Sequence, residues 1–388
     1  MGLVEVETDA TPFVDLPAAL VDEMLSKTEE VARSLLDGFR AVQEDRSQLR
    51  STLESCQLLE NESHLGCPPP TPTTCGIDGS YAIERLLSAD LAACAAVAVE
   101  GLTPPTETRH WQQPHHRSFV RPEVHDADTP TVLRAVMLGY ELLLAMNAPH
   151  DVVMLDGTLT LPVIYFNQAL SKLREAPNLN ASQEFSSSSI DFLTAYSEIL
   201  QASRSDQNYV GLPKYSTRRE IGRHLGRADT YDDRALLSLL LNPGELTRPI
   251  PLENPNQQWH IGTSSLPSKV QAHAKPLVDN IVSALNDIHV IYYKPHEWLP
   301  AIRLEVPRPV VENRDRLATV IQAVKYQCAT PGILEPYPLY LADRMVKALA
   351  RSVPAFRQVT TRQIAEQYAG PIDEIFFGMH GYRTESGR

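Results

Sequence analysis

The sequence predicts an α/β protein, with parallel strands at the centre of a sheet and helices covering it. Two stretches carry this, Cys75-Gly76-Ile77-Asp78-Gly79-Ser80 and Val152-Val153-Met154-Leu155-Asp156-Gly157-Thr158. Each is an apolar run too short for a helix, followed by Asp-Gly and a hydroxyl residue; the segments around them show helical periodicity. Two buried strands that each end in Asp-Gly can lie side by side and bring two carboxylates to one point at the sheet's carboxyl edge. That arrangement holds divalent metals. Asp-Gly also opens tight turns, and at this point both readings stand.

With 388 residues and 43% hydrophobic content the chain has room for one large or two modest domains. Cys56, Cys67, Cys75, Cys94 and Cys328 form no C-x-x-C pair and leave an odd count. This argues against a disulfide framework or a zinc knuckle and predicts a reducing, cytoplasmic setting. The Met1–Val6 segment carries acids and no basic region, so no signal peptide is expected. No apolar run approaches ~18 residues, so no membrane span is expected either. A net charge of -13 excludes nonspecific nucleic-acid binding by the whole surface and confines any such contact to a local groove.

From about Leu16 to Leu53 the chain reads as one long helix. A seven-residue seam runs through Val21, Leu25, Thr28, Ala32, Leu35, Phe39, Val42, Arg46, Leu49 and Leu53, and eight of the ten are apolar. The seam either crosses its own domain or packs on a second subunit or partner, with Val21, Leu25, Leu35, Phe39 and Val42 as the candidate contacts. The Pro-rich stretch Cys67 to Thr74 marks a boundary. The expected division is a helical arm over 1–66, a central domain over 72–350 and a C-terminal helix and tail over 351–388.

Ala89 to Gly101 suits a central strand, with helix as the competing reading. Thr103 to Asp128 holds His110, His115, His116 and His125 at spacings that match no standard zinc pattern. It reads as an exposed connection with one edge strand around Arg117 to Arg121. A helix over Pro130 to Met146 presents Leu133, Val136, Met137, Tyr140, Leu143 and Leu144 as an apolar face. Glu141 lies in that helix, either as solvated surface or as a third carboxylate near Asp156. Two helices are expected after Pro162, then a strand at Tyr209 to Pro213.

Between Lys214 and Arg227 the charge reverses: Lys214, Arg218, Arg219, Arg223 and Arg227 stand against Glu220 alone. A helix from Thr217 would align Arg219, Arg223 and Arg227 as a stripe suited to successive phosphates; a solvated face is the alternative. Asp232 to Leu241 reads as a short helix. Asp287 to Lys294 and Leu299 to Val306 read as two strands joined by a turn, with Arg303 and Glu305 on one face, paired or pointing into a site. Helices are expected around Val310 to Cys328, Tyr337 to Arg351 and Val359 to Ala369, and Glu385 to Arg388 as a disordered end. The absence of G-x-x-x-x-G-K-[ST], G-x-G-x-x-G and G-x-S-x-G excludes the standard ATP motor, the dinucleotide fingerprint and the common serine hydrolase elbow.

Six segments in order resemble the NurA nucleases: Gly76 to Ser80, Val152 to Leu159, Val210 to Ser216, Tyr292 to Lys294, Ile302 to Pro307, and Pro336 to Leu339 with Ala342-Asp343. The resemblance covers about residues 72 to 350. It implies an RNase H-like mixed sheet flanked by helices, Mn²⁺- or Mg²⁺-dependent cleavage of DNA, a homodimer, and work beside a HerA-like hexameric ATPase in end resection, repair or antiviral defence. By motif it matches Asp78 and Asp156 to the metal-binding aspartates, Lys214 to the motif lysine and Asp343 to the acid of the C-terminal helix. Glu141 is matched by position only, with Glu123, Asp126 and Asp128 as its substitutes. The expected roles are metal binding by Asp78, Glu141 and Asp156 and phosphate contacts by Lys214, Arg218, Arg219, Arg223 and Arg303. Two alternatives come from other classes: an inert adaptor subunit of a HerA-like motor, and a phosphotransferase of the actin or sugar-kinase kind.

Overall fold

The computed structural model describes residues 17–66, 70–216, 218–226, 232–253, 255 and 257–387. Met1 to Leu16, the linker residues Cys67 to Pro69, Thr217 and Arg227 therefore lie outside the described residues.

In chain order the elements are α1 (Ala18–Ser26), α2 (Thr28–Glu44), α3 (Arg46–Ser55), β1 (Leu59–Asn61), β2 (Thr74–Leu86), β3 (Asp90–Glu100), β4 (His115–Glu123), α4 (Thr129–Asn147), β5 (Val152–Asp156), α5 (Leu161–Lys172), α6 (Asn180–Gln201) and β6 (Asn208–Leu212). Then follow α7 (Glu220–His224), α8 (Asp233–Leu240), β7 (Glu245–Thr247), β8 (Ile250–Pro251), α9 (Ser268–Leu285), β9 (Ile288–Tyr293), β10 (Ile302–Pro307), α10 (Arg308–Glu312), α11 (Arg314–Gln327), α12 (Tyr337–Gln367), α13 (Ile372–Gly378) and β11 (Gly381–Gly387). The predicted mixed sheet flanked by helices is present: one 11-stranded sheet in the order β1-β7-β9-β10-β6-β5-β2-β3-β4, with β8 on β9 and β11 on β2.

Among the described strands the parallel pairs are β2–β5 and β5–β6, at the middle of the sheet. Their aliphatic residues are fully buried, as strands covered on both faces require: Ile77, Val152, Val153, Met154 and Val210 are all at 0% exposure. Ala89 to Gly101 resolves as strand β3, its small side chains letting helices approach from both sides.

Strand alternation sorts the two faces. On β2, Gly79 faces Met137 and Glu141 of α4, while Gly76 faces the backbone of Pro338 and Leu339 at the start of α12. Helix α4 is apolar and long enough to cross a bilayer, but 78% of its apolar window is buried within the protein; it is the core helix of one face. Burying each of its large apolar side chains contributes roughly 1.5–3 kcal/mol.

Three expectations are corrected here. The N-terminal helix is three helices, interrupted at Lys27 and Asp45. At the first break Ser26 Oγ and Thr28 Oγ1 bond the carbonyls of Glu23 and Leu25, each at 2.7 Å, the local competition by which hydroxyl residues bend helices. The C-terminal helices are one, α12, with Pro354 inside it, so the boundary expected at 350–351 falls within a helix. Residues 385–387 belong to β11, which pairs with the outer half of β2. Elements β1, β7, β8 and α9 have no counterpart in the sequence reading.

Candidate metal centre

Asp78 does not end a strand. Strand β2 runs eight residues past it, paired with β3 throughout, and what ends beside Asp78 is the partner β5. The last parallel pair is Ile77 with Leu155, so Asp78 and Asp156 are the next residues on neighbouring strands and point to the same face. The two Asp-Gly copies thus do different work. Gly157 takes φ +94, a left-handed turn that glycine adopts without strain, whereas the Gly79 N–H donates to Asp78 Oδ1 at 2.8 Å within a continuing strand.

The third carboxylate comes from α12. A Cβ on Gly76 would lie 2.5 Å from Leu339 N and Pro338 C, so glycine lets the helix start against the strand. From there two strand residues to Asp78 advance ~6.7 Å and four helix residues to Asp343 ~6 Å. Farther along, Val353 shares a buried cluster with Ala82 and Leu86, so helix and strand run together. One oxygen from each of Asp78, Asp156 and Asp343 lies within 4.8 Å of the others, the only such group of three or more metal-capable side chains among the described residues.

Lys214 follows β6 and reaches this group. Its Nζ lies 2.9 Å from Glu335, 3.3 Å from Asp156 Oδ2 and 3.4 Å from Asp343 Oδ1. Lys347, one turn along α12 and exposed, is 2.8 Å from Asp343 Oδ2. The Arg234 guanidinium fixes the segment by donating to the carbonyls of Lys214 and, at 3.0 Å, Ala301. A cavity of about 220 Å³ adjoins, walled by Leu212, Pro213, Ile302 and Leu339 and edged by Lys214, Tyr215, Arg234 and Glu335.

Several sequence expectations are relocated. Glu141 is buried on the opposite face of β2, its Oε1 in the space a side chain at Gly79 would need; alternation separates it from Asp78, and Asp343 stands where it was expected. Its substitutes are engaged elsewhere: Glu123 accepts the N–H groups of Asn180 and Ala181 at 2.7 Å, Asp126 accepts that of Asp128, and Asp128 pairs with Lys172 at 3.3 Å. None of the four histidines of the 103–128 segment joins a metal-capable group among the described residues. His115 stacks on Trp111, and His125 bonds Asp90 at 2.8 Å.

Arg303 takes the paired alternative, with Glu305 and with Glu220. At 1% exposure it forms a bidentate pair with Glu220 at 3.0 and 3.1 Å and bonds Glu305 at 3.1 Å and the Tyr292 hydroxyl at 2.5 Å. Burial would raise the Glu220 carboxyl, but the Arg303 bonds outweigh it and hold the group below its ordinary value. Neighbouring Asp233, whose oxygens accept from Ile221 and Gly222 at 2.7 Å, is pushed up by burial to about 6. Glu305 in turn accepts from Thr158 Oγ1 at 2.5 Å and Leu159 N at 3.0 Å, so the buried network braces the turn that follows Asp156.

The basic stripe is also broken. Helix α7 spans five residues and Gly226 follows it at φ +67, so Arg219 precedes the helix and only Arg223 lies in it, paired with Glu253. Arg218 bonds the Glu253 carbonyl at 3.4 Å.

The NurA domain model matches residues 72–348, more than half of the sequence. The chain belongs to the NurA family. Its fold is similar to that of the NurA nuclease from Sulfolobus solfataricus, with 12% identity, a TM-score of 0.60, and 92% of this chain and 100% of that one covered. It is similar as well to a NurA structure with manganese, with 15% identity, a TM-score of 0.54, and 89% and 100% covered. At such identities the likeness is one of fold. None of the curated proteins compared matches the sequence.

Sequence reasoning missed Glu335 and Lys347. The signal for Glu335 was an acid directly before the Pro336-Tyr337-Pro338 helix start, a place fixed relative to Asp343 once the helix is recognised.

Proposed function

We propose that the protein cuts DNA ends and single strands with Mg²⁺ or Mn²⁺ held by Asp78, Asp156 and Asp343. As a member of the NurA family the chain is a metal-dependent nuclease; the substrate, the ligand set and the partners are the finer reading. The observation that carries it is the convergence of three hard oxygen donors within 4.8 Å at the end of the parallel strands. Oxygen-only donors of this kind suit Mg²⁺ and Mn²⁺, and three partly buried carboxylates at this spacing are stabilised by a cation between them. The manganese of the similar NurA structure agrees with that choice.

When bound, such an ion supplies an acidified water and neutralises charge at the leaving oxygen. The chain's own groups do the rest. Asp78 and Asp156 are held by the strand register and Asp343 by the Gly76 contact, so the three carboxylates are set before substrate arrives. The Lys214 ammonium, at the mouth of the adjoining cavity, donates to the phosphate of the strand to be cut. Arg218 and Arg219, four and five residues on, are placed to contact flanking phosphates, Arg223 less so because Glu253 already neutralises it.

The N-terminal arm supports a partner. Leu20, Met24, Leu25, Val31, Leu35, Leu36 and Phe39 are exposed on α1 and α2, while Val42, Leu49 and Leu53 pack on the chain's own domain. In our reading the exposed part seats a second copy or a HerA-like hexameric ATPase, and the complex works in the cytoplasm in end resection, repair or antiviral defence.

The test is cleavage of labelled single- and double-stranded DNA with Mn²⁺ by the wild type and by Asp78→Asn, Asp156→Asn and Asp343→Asn. Loss of cleavage by orders of magnitude in folded variants supports the site. Near-wild-type cleavage by any of them removes that residue from it. Parallel incubation with ATP and sugars separates this reading from a phosphotransferase, and inactivity of the wild type on every DNA would favour the adaptor.

A further inference from the structure

The position of Lys214 raises a conflict within the site. Its ammonium is 3.3 Å from Asp156 Oδ2 and 3.4 Å from Asp343 Oδ1, two of the three carboxylates assigned to the ion. Divalent ions of this class sit close to their oxygen ligands, ~2.1 Å for Mg²⁺. An ion ligated by both aspartates would therefore press against the ammonium, and like charges at that separation repel strongly where water is scarce. The ammonium and the ion compete for the same two carboxylates.

Glu335 offers the ammonium a second seat. It is the nearest carboxylate to Lys214, at 2.9 Å, and it stands outside the group of three. Both side chains are partly exposed, 26% for Lys214 and 21% for Glu335, while the Glu335 Oε2 that meets the ammonium is buried. Glu335 precedes α12 by two residues, at the rim of the cavity that Lys214 also lines. A lysine held by Glu335 alone remains beside the site, facing that cavity.

We propose that Glu335 is a positioning residue: it draws the Lys214 ammonium off Asp156 and Asp343 when a divalent ion engages them, and holds it where the substrate phosphate arrives. Lys214 is thus the counter-charge of the aspartates before the ion binds and a phosphate donor after. The inference rests on the proposed metal site and adds to it an exchange between two cations.

The exchange is read by Mn²⁺ binding rather than by cleavage. Full-length protein is titrated with Mn²⁺ at pH 7.5 by calorimetry and by the loss of free-ion electron paramagnetic resonance signal, for wild type, Lys214→Met, Glu335→Gln and the double variant. Lys214→Met should bind Mn²⁺ about tenfold more tightly, because the competitor is gone, and should melt at a lower temperature without metal, because the aspartates lose their counter-charge. Glu335→Gln should weaken binding about fivefold with Lys214 present and less than twofold in the Lys214→Met background, since it acts through the lysine. Equal or weaker binding by Lys214→Met overturns the proposal. So does an undiminished Glu335→Gln effect in the double variant, which would make Glu335 a direct ligand or a plain field effect. Should Lys214→Met not fold, Lys214→Gln carries the same expectations. A wild type that binds no Mn²⁺, or binds it as well after Asp78→Asn, defeats the metal site itself, and the inference with it.

Discussion

Gly76 and Arg303 show how single side chains set this site from outside it. At Gly76 an added Cβ would meet backbone rather than a flexible side chain, so Gly76→Ala must push the start of α12 away from β2. We expect a loss of roughly 1–3 kcal/mol in denaturant unfolding, together with weaker Mn²⁺ binding as Asp343 moves; unchanged Mn²⁺ affinity would mean that the helix start does not position the aspartate. Arg303→Met leaves Glu220 and Glu305 buried without their counter-charge, and removing one member of such a cluster costs roughly 3–5 kcal/mol. DNA affinity of the folded fraction should not change, and a specific loss of binding at full stability would restore Arg303 as a DNA contact. His150 carries a pH dependence. It is buried with Nε2 3.1 Å from Glu100, and burial pulls it down to about 4 in spite of that carboxylate. The folded protein therefore binds fewer protons than the unfolded chain between pH 6.5 and 4, and stability falls as pH is lowered through that window. His150→Gln should make the slope of unfolding free energy against pH in this window shallower by up to one proton, and an identical slope would show that the imidazole protonates in the fold.

Helix α12 is the element on which the centre depends. It lies along β2, carries Asp343, and has Glu335 just before it, so the group of three aspartates is assembled by packing Asp343 beside Asp78, 265 residues earlier in the chain. The stretch from Lys214 to Arg223 is less regular than its charge pattern suggested, and this changes what its arginines can do. With Arg223 already paired with Glu253, replacing Arg219 and Arg223 by Gln should reduce the slope of log affinity against log salt by about one unit rather than two. A slope lowered by two would mean that Arg223 leaves Glu253 for phosphate, and an unchanged slope would return both residues to the solvated surface.

For the molecule as a whole, the N-terminal arm is the feature that bears on partners. Seven large apolar side chains of α1 and α2 stand between 43% and 59% exposed, and apolar surface of this kind, where contiguous, marks an interaction surface. We expect the purified chain to be a dimer by light scattering. Leu35→Glu with Phe39→Glu should weaken either self-association or binding of a HerA-like ATPase while sparing metal-dependent nicking of single strands, because both residues lie far in the chain from Asp78, Asp156 and Asp343. If that variant stays dimeric and binds its ATPase fully, the arm is not the docking surface.

Local pattern carried the strands around Ile77 and Leu155, the core helix read over 130–146 and observed over 129–147, and the hairpin of Tyr292 and Arg303, since each depends on residues close together in the chain. The family came from six such segments taken in order. The same patterns placed Asp78 and Asp156 side by side, because strand register is set by alternation of buried side chains. They could not say which third acid would join them. Glu141 was nearer in sequence, but a β-strand turns successive residues to opposite faces, and only the packing of α12 against Gly76 put Asp343 on the face of Asp78. Likewise the pairing of Arg303 with Glu305 was legible from strand alternation, while its second partner Glu220 and the Glu253 partner of Arg223 were not, because they reach the arginines only through the fold, and pairing decides whether an arginine is available to a phosphate. The pairing of the tail with β2 belongs to the same class, being settled by contacts over a long separation that periodicity does not encode, whereas the first break in the N-terminal helix is local, made by the hydroxyls of Ser26 and Thr28.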